Sequence, residues 1–103
     1  MIKVSVMYPN SADAKFDMEY YCNKHLTMVD ELLGDALQGR TVDAGIAGGA
    51  PGQPPAFITM GHLMFESLEV FQQSFAPHAE KMMADIPNFT NIQPQIQISE
   101  IKL

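Results

Sequence analysis

Three histidines, three tyrosines and a single cysteine are the side chains of this sequence best suited to proton transfer, hydrogen-bond donation or nucleophilic attack. His25 follows Tyr21 by four residues and Cys22 by three, so on a helix all three share one face. An imidazole among apolar neighbours must either find a hydrogen-bond partner or face a cavity. A general base has to be neutral at its working pH and still able to take a proton, and imidazole is the side chain whose ordinary pKa allows both. His25 is therefore the candidate acid/base; the plain alternative is a core histidine satisfied by a backbone carbonyl. Tyr21 is placed to orient that imidazole or to donate to a substrate oxygen, unless it only packs on Phe16. Tyr8 closes the first strand and reaches toward the same pocket mouth, or is merely a rim aromatic. Cys22 has the spacing of a nucleophile pair with His25, but a cysteine on a buried face is generally inert packing.

The elements that position these residues are legible in the hydrophobic pattern. Ile2, Val4, Val6 and Tyr8 alternate with Lys3, Ser5 and Met7 as a first strand, ended by Pro9-Asn10. Asp17 then caps a helix running to Leu33, with Phe16 and Tyr21 at the two positions of a hydrophobic staple and Gly34 as its stop. Its apolar face holds Tyr21, Cys22, His25, Leu26, Val29 and Leu33; Glu19, Asn23, Lys24, Asp30 and Glu31 fall on the other. Leu37–Ala47 reads as a second strand. The Gly/Pro-rich stretch Gly48–Pro55 reads as an exposed, mobile loop. Ala56–Phe65 is a third strand with both faces largely apolar. Ser67 caps a second helix over Leu68–Phe75, which Pro77 kinks or restarts through about Ala84. Asp85–Thr90 is a connector, and Pro94–Ile101 a last strand.

Strand parity decides what His62 does. Phe65 leads directly into the second helix, so Leu63 and Phe65 are expected to face the helices. His62 then points to the opposite side of the sheet, away from His25. Gly61 faces the helices and leaves room beneath His25 for a small ligand, with Phe65 further along the same face. The opposite parity would pair His25 with His62. His78, just after Pro77, is expected in solvent.

The order βαββαβ predicts an α+β, ferredoxin-like fold: a four-stranded antiparallel sheet with both helices on one face. The other sheet face would be bare, and a second copy of the sheet would cover it, so a homodimer is expected. The 103 residues make one domain, 1–103. A formal charge of −6, with the few basic residues dispersed, argues against nucleic acid and anionic membranes as partners. The N-terminus lacks the pattern of a signal peptide, no apolar run approaches the roughly 18 residues of a membrane span, and the lone cysteine fits a reducing cytoplasm. Three dispersed histidines give no convincing metal site, and no Gly-rich phosphate loop follows a strand, so no cofactor is expected.

Three stretches resemble the EthD-like family of dimeric α+β barrel proteins. The first is Asp17-Met18-Glu19-Tyr20-Tyr21-Cys22-Asn23-Lys24-His25-Leu26-Thr27-Met28-Val29, similar to the family's F-D-x-x-Y-Y-x-x-x-H-x-P-x pattern with threonine where proline is frequent. The others are Leu63–Glu69 at the strand-to-helix join and Asp85–Thr90 before the last strand. The resemblance implies the fold and the dimer, and it adds weight to His25. Family members with assigned roles act on small, often cyclic organic molecules in degradation pathways. Two readings follow. One is a cofactor-free enzyme of the isomerase, cyclase or lyase type, with His25 as acid/base and Tyr21, Tyr8, Gly61 and Phe65 around a carbonyl-containing substrate. The other is a module that binds a small hydrophobic compound without turning it over. A third, cofactor-free or haem-dependent monooxygenase chemistry, has neither a tryptophan nor a ligand set to support it.

Overall fold

The computed structural model describes Met1–Leu103. Four strands, β1 (Ile2–Pro9), β2 (Gly39–Ala44), β3 (Phe57–Phe65) and β4 (Gln95–Glu100), form a single sheet in the order β2-β3-β1-β4 with every neighbouring pair antiparallel. The helical segments connect β1 to β2 and β3 to β4. This is the ferredoxin-like arrangement expected from the element order. β2 and β4 are shorter than the alternation suggests: Leu37 still closes a 3-10 turn over Gly34–Ala36, and regular pairing ends at Ala44 and Glu100, beyond which the Gly45 and Ile101 amides each still donate once, to the Ile58 and Met1 carbonyls.

The first helical region starts where the sequence places it. The Asp17 carboxylate accepts from the Tyr20 amide at 3.0 Å, and the Phe16 and Tyr21 rings meet at 5.1 Å across the staple. The region is not one regular helix, however. α1 (Met18–Tyr20) gives way to a π turn (Tyr21–His25) before α2 (Leu26–Leu33), and the Leu26 amide reaches back to the Tyr21 carbonyl. The extra residue in that turn brings Tyr21 and His25 nearly into line along the axis. Gly34 ends α2 with φ 54°, a conformation that glycine takes without a steric cost.

Ser67 caps α3 (Leu68–Phe75) by accepting from the Val70 amide at 3.1 Å. Pro77 sits in a 3-10 turn (Ala76–His78) and the chain restarts as α4 (Ala79–Asp85). His78 is half-buried in that turn rather than free in solvent. Asp85 belongs to the last turn of α4 rather than to a connector, and a further 3-10 turn, Ile86–Asn88, continues from it.

Register fixes the two faces of the sheet. Val4 pairs with Leu63 and Ile98, and Val6 with Gly61 and Ile96. These residues, with Tyr8, Thr59 and Phe65, face the helices as expected. Val4, Tyr8, Leu63 and Phe65 meet Tyr21, Leu26, Val29, Leu33 and Met82 in the core. The opposite face carries Lys3, Ser5, Met7, Ile58, Met60, His62 and Met64, and no helix covers it. There Ser5 Oγ lies 2.8 Å from His62 Nδ1 and Asp43 Oδ2 3.2 Å from His62 Nε2. His62 and His25 are therefore on opposite sides of the sheet. No helix is long and apolar enough to cross a membrane.

Candidate active site

His25 lies at the end of the π turn, 7 % exposed. Its Nδ1 is 2.9 Å from Asp85 Oδ2. Asp85 is a hub: its other oxygen accepts from the Tyr20 hydroxyl at 2.8 Å and from the Asn88 amide at 2.9 Å. Burial acts to raise the Asp85 pKa, but the hydrogen bonds from Asn88, His25 and Tyr20 outweigh it and hold the carboxyl below its ordinary range. An ionised carboxylate can only accept, so His25 Nδ1 carries a proton. In neutral His25 the lone pair then belongs to Nε2.

The reach from α4 to the π turn is set by a clasp between the chain after α4 and the start of α1. The Asp17 amide donates to the Phe89 carbonyl at 2.7 Å, and the Thr90 hydroxyl donates to the Lys15 carbonyl at 2.6 Å. This seats Phe89 against His25, with ring centroids 4.8 Å apart, and Tyr20 within reach of Asp85. Asp85 and His25 are 60 residues apart, and nothing in the local pattern of either signals the pair.

His25 lines a cavity of about 60 Å³ between the sheet and the helices. Val6, Gly61 and Leu63 form its floor, Leu26, Val29, Phe75 and Met82 its walls, and Met83, Pro94 and Ile96 its solvent side. The walls are apolar; His25, Tyr21 and Tyr8 supply the polar groups.

Of the residues expected around a ligand, Tyr21, Tyr8 and Gly61 line this cavity and Phe65 does not. Tyr21 stacks on His25 with centroids 5.5 Å apart and planes inclined by 13°. Its burial pushes the phenol up to about 12. Tyr8 is no rim aromatic. It is 1 % exposed, at the bottom of an aromatic cluster with Phe16, Tyr21 and Phe89. Burial, and then the neighbouring Tyr21 phenol, raise its pKa far above the ordinary tyrosine value. Gly61 faces the helices, but the room it leaves is occupied: a Cβ there would lie 2.1 Å from the Tyr21 hydroxyl oxygen. Phe65 does not line the cavity. It is fully buried further along the sheet, against Phe71 at 5.1 Å. Cys22 is half-buried.

An imidazole oriented by a carboxylate and a protonated phenol thus meet at a small apolar cavity on a ferredoxin-like α+β scaffold. The sequence model of the EthD domain matches residues 10–93. An uncharacterised 11.0 kDa protein of Rhodococcus erythropolis is 32% identical over 93 residues, 88% of this chain and 85% of that protein. The crystal structure of an EthD-like protein from Ralstonia eutropha JMP134 superposes with a TM-score of 0.94 at 44% identity, covering 99% of this chain and 92% of that one. A dimeric ferredoxin-like protein from an uncultured marine organism shares the fold alone, with a TM-score of 0.53 at 9% identity over 100% of this chain and 96% of that one. The chain belongs to the EthD family.

Proposed function

We propose that this protein transfers a proton on a small organic compound in the cavity, with His25 as general base and Asp85 orienting it. The reaction class is isomerisation, cyclisation or a related elimination beside a carbonyl group. The observation that carries this reading is the His25–Asp85 pair at 2.9 Å beside an apolar cavity. The carboxylate fixes the proton on Nδ1, leaving Nε2 as the basic nitrogen. Exclusion of water by the apolar walls supports the transfer, because charges developing in such a site are less screened.

The working unit is proposed to be a homodimer formed through the open sheet face. Its apolar side chains Met7, Ile58, Met60 and Met64 support this, and the similar marine protein is itself described as dimeric.

The test is solvent deuterium exchange into a panel of small ketones, lactones and cyclic enones, followed by NMR for the wild type and His25→Asn. Turnover in the variant should fall by about 10²–10⁴ with the fold intact, the usual worth of one positioned acid/base group. A variant as active as the wild type per folded molecule would end the catalytic reading. Retained ligand binding with no exchange by either protein would leave a carrier of small hydrophobic compounds.

A further inference from the structure

We propose that Tyr21, seated in the notch that Gly61 leaves in the sheet, is the donor that receives the substrate's oxygen, and that the cavity therefore takes a neutral, enolisable carbonyl compound. The inference rests on the acid/base reading of His25 and adds the group that stabilises the product of proton removal.

The geometry is specific. Any side chain at position 61 would overlap the Tyr21 hydroxyl, since even a Cβ would stand 2.1 Å from it. Tyr21 and His25 are stacked and line the same cavity, as does Gly61, against which the Tyr21 hydroxyl is seated. Tyr8 packs edge-on against Tyr21, with ring centroids 5.8 Å apart, and backs that ring from the first strand. Burial keeps the Tyr21 phenol protonated throughout the neutral range, so it acts as a donor.

The step balances within the site. His25 Nε2 takes a proton from the carbon next to the carbonyl, and the electron pair of the broken C–H bond becomes the enolate π bond. The charge collects on the carbonyl oxygen, which accepts from the Tyr21 hydroxyl. A protonated buried phenol aimed at a developing oxyanion strengthens its hydrogen bond as the charge forms, which is selective stabilisation of the transition state. No lysine or arginine lines the cavity, and the Asp85 carboxylate stands behind His25. A substrate carrying its own carboxylate inside would be desolvated without a partner. The charge is therefore meant to appear during the reaction, not to arrive with the ligand.

Phenolate ions mimic an enolate, and 4-nitrophenol reports its own ionisation by turning yellow. The full-length protein is titrated with it below and above the ligand's ionisation pH. Below that pH, the wild type should bind the phenol and turn it yellow, its proton passing to His25. Above it, Tyr21→Phe should weaken phenolate binding by about ten- to a hundredfold, the worth of one hydrogen bond to a charge. Gly61→Ala should reproduce that loss by displacing the phenol, and both variants are checked by circular dichroism. His25→Asn should leave the ligand colourless at low pH yet bind phenolate in a Tyr21-dependent way at high pH. If His25→Asn still yields yellow ligand at low pH, the base is misassigned while the Tyr21 donor stands. The donor is overturned if Tyr21→Phe binds phenolate as tightly as the wild type, or if the wild type takes up no 4-nitrophenol at millimolar concentration.

Discussion

The two ring nitrogens of His25 differ because only one has a partner. Asp85 holds Nδ1, and Asp85 in turn is held by Tyr20 and Asn88, so the imidazole plane is fixed from behind through a chain of side-chain hydrogen bonds. Asp85→Asn should keep these contacts nearly isosteric while removing the charge that fixes the tautomer. Exchange activity should fall by about 10² or more with a native circular dichroism spectrum. The same variant has a stability signature. The folded-state pKa of Asp85 is depressed, so the stabilisation that depends on its charge is fully present above the ordinary aspartate value. It is lost as pH falls through the lower folded value. Urea melts at descending pH should show the gap between wild type and Asp85→Asn closing under acid; a gap that stays constant would mean the carboxylate contributes nothing through its charge. Thr59 offers a contrasting test. It is 0% exposed and its hydroxyl has no hydrogen-bond partner. Thr59→Val removes the unmet polar group at nearly equal volume and should stabilise by about 1 kcal/mol, read from the denaturation midpoint.

Both helix starts follow from their sequence because a cap and its amide are three residues apart, as at Asp17 and Tyr20 and at Ser67 and Val70. Strand parity was equally legible: Phe65 must follow the sheet into α3, and that alone separates His62 from His25. The π turn was not legible. Widening a helix by one residue leaves no mark in a hydrophobic pattern read at 3.6 residues per turn. The Asp85 partnership is a tertiary contact, so its carboxylate looked like any polar residue near a turn. Gly61 was recognisable as empty space but not as the seat of a phenol. The glycines between β2 and β3 are not equally free. Gly49 has open space around it, whereas a Cβ at Gly45 would lie 2.2 Å from the Phe57 carbonyl oxygen, where the hairpin is still paired. Gly49→Ala should leave the melting midpoint unchanged, and Gly45→Ala should cost about 1–3 kcal/mol. Equal effects at both positions would show that the hairpin does not extend past β2.

The whole molecule is a slab, 41 × 33 × 19 Å, and only 15 of 103 residues are buried. It exposes 6485 Å², against about 5,800 Å² expected for a monomer of this mass. The excess is close to the roughly 800 Å² that each partner hides in a standard interface. The open sheet face is where such a surface is available. Its methionines lie around the Ser5–His62–Asp43 row, so a partner would meet adaptable apolar side chains framing a polar strip whose hydrogen bonds are already made within the chain. The helix-side face is a poorer candidate, because α2, α3 and α4 already cover most of it and only Ile96 and Ile98 of β4 remain exposed there. Light scattering at micromolar concentration should therefore give twice 11.4 kDa for the wild type. Met60→Asp places a charge on each copy in the middle of the apposed faces, where it would be desolvated without a partner. It should yield the single-chain mass, while Glu80→Lys on α4, a change of two charge units on the far side of the slab, should remain dimeric. If Met60→Asp stays dimeric, the partner docks elsewhere on the molecule. If the wild type itself has the mass of one chain, the extra surface belongs to a flat monomer and the paired-sheet barrel is wrong for this protein.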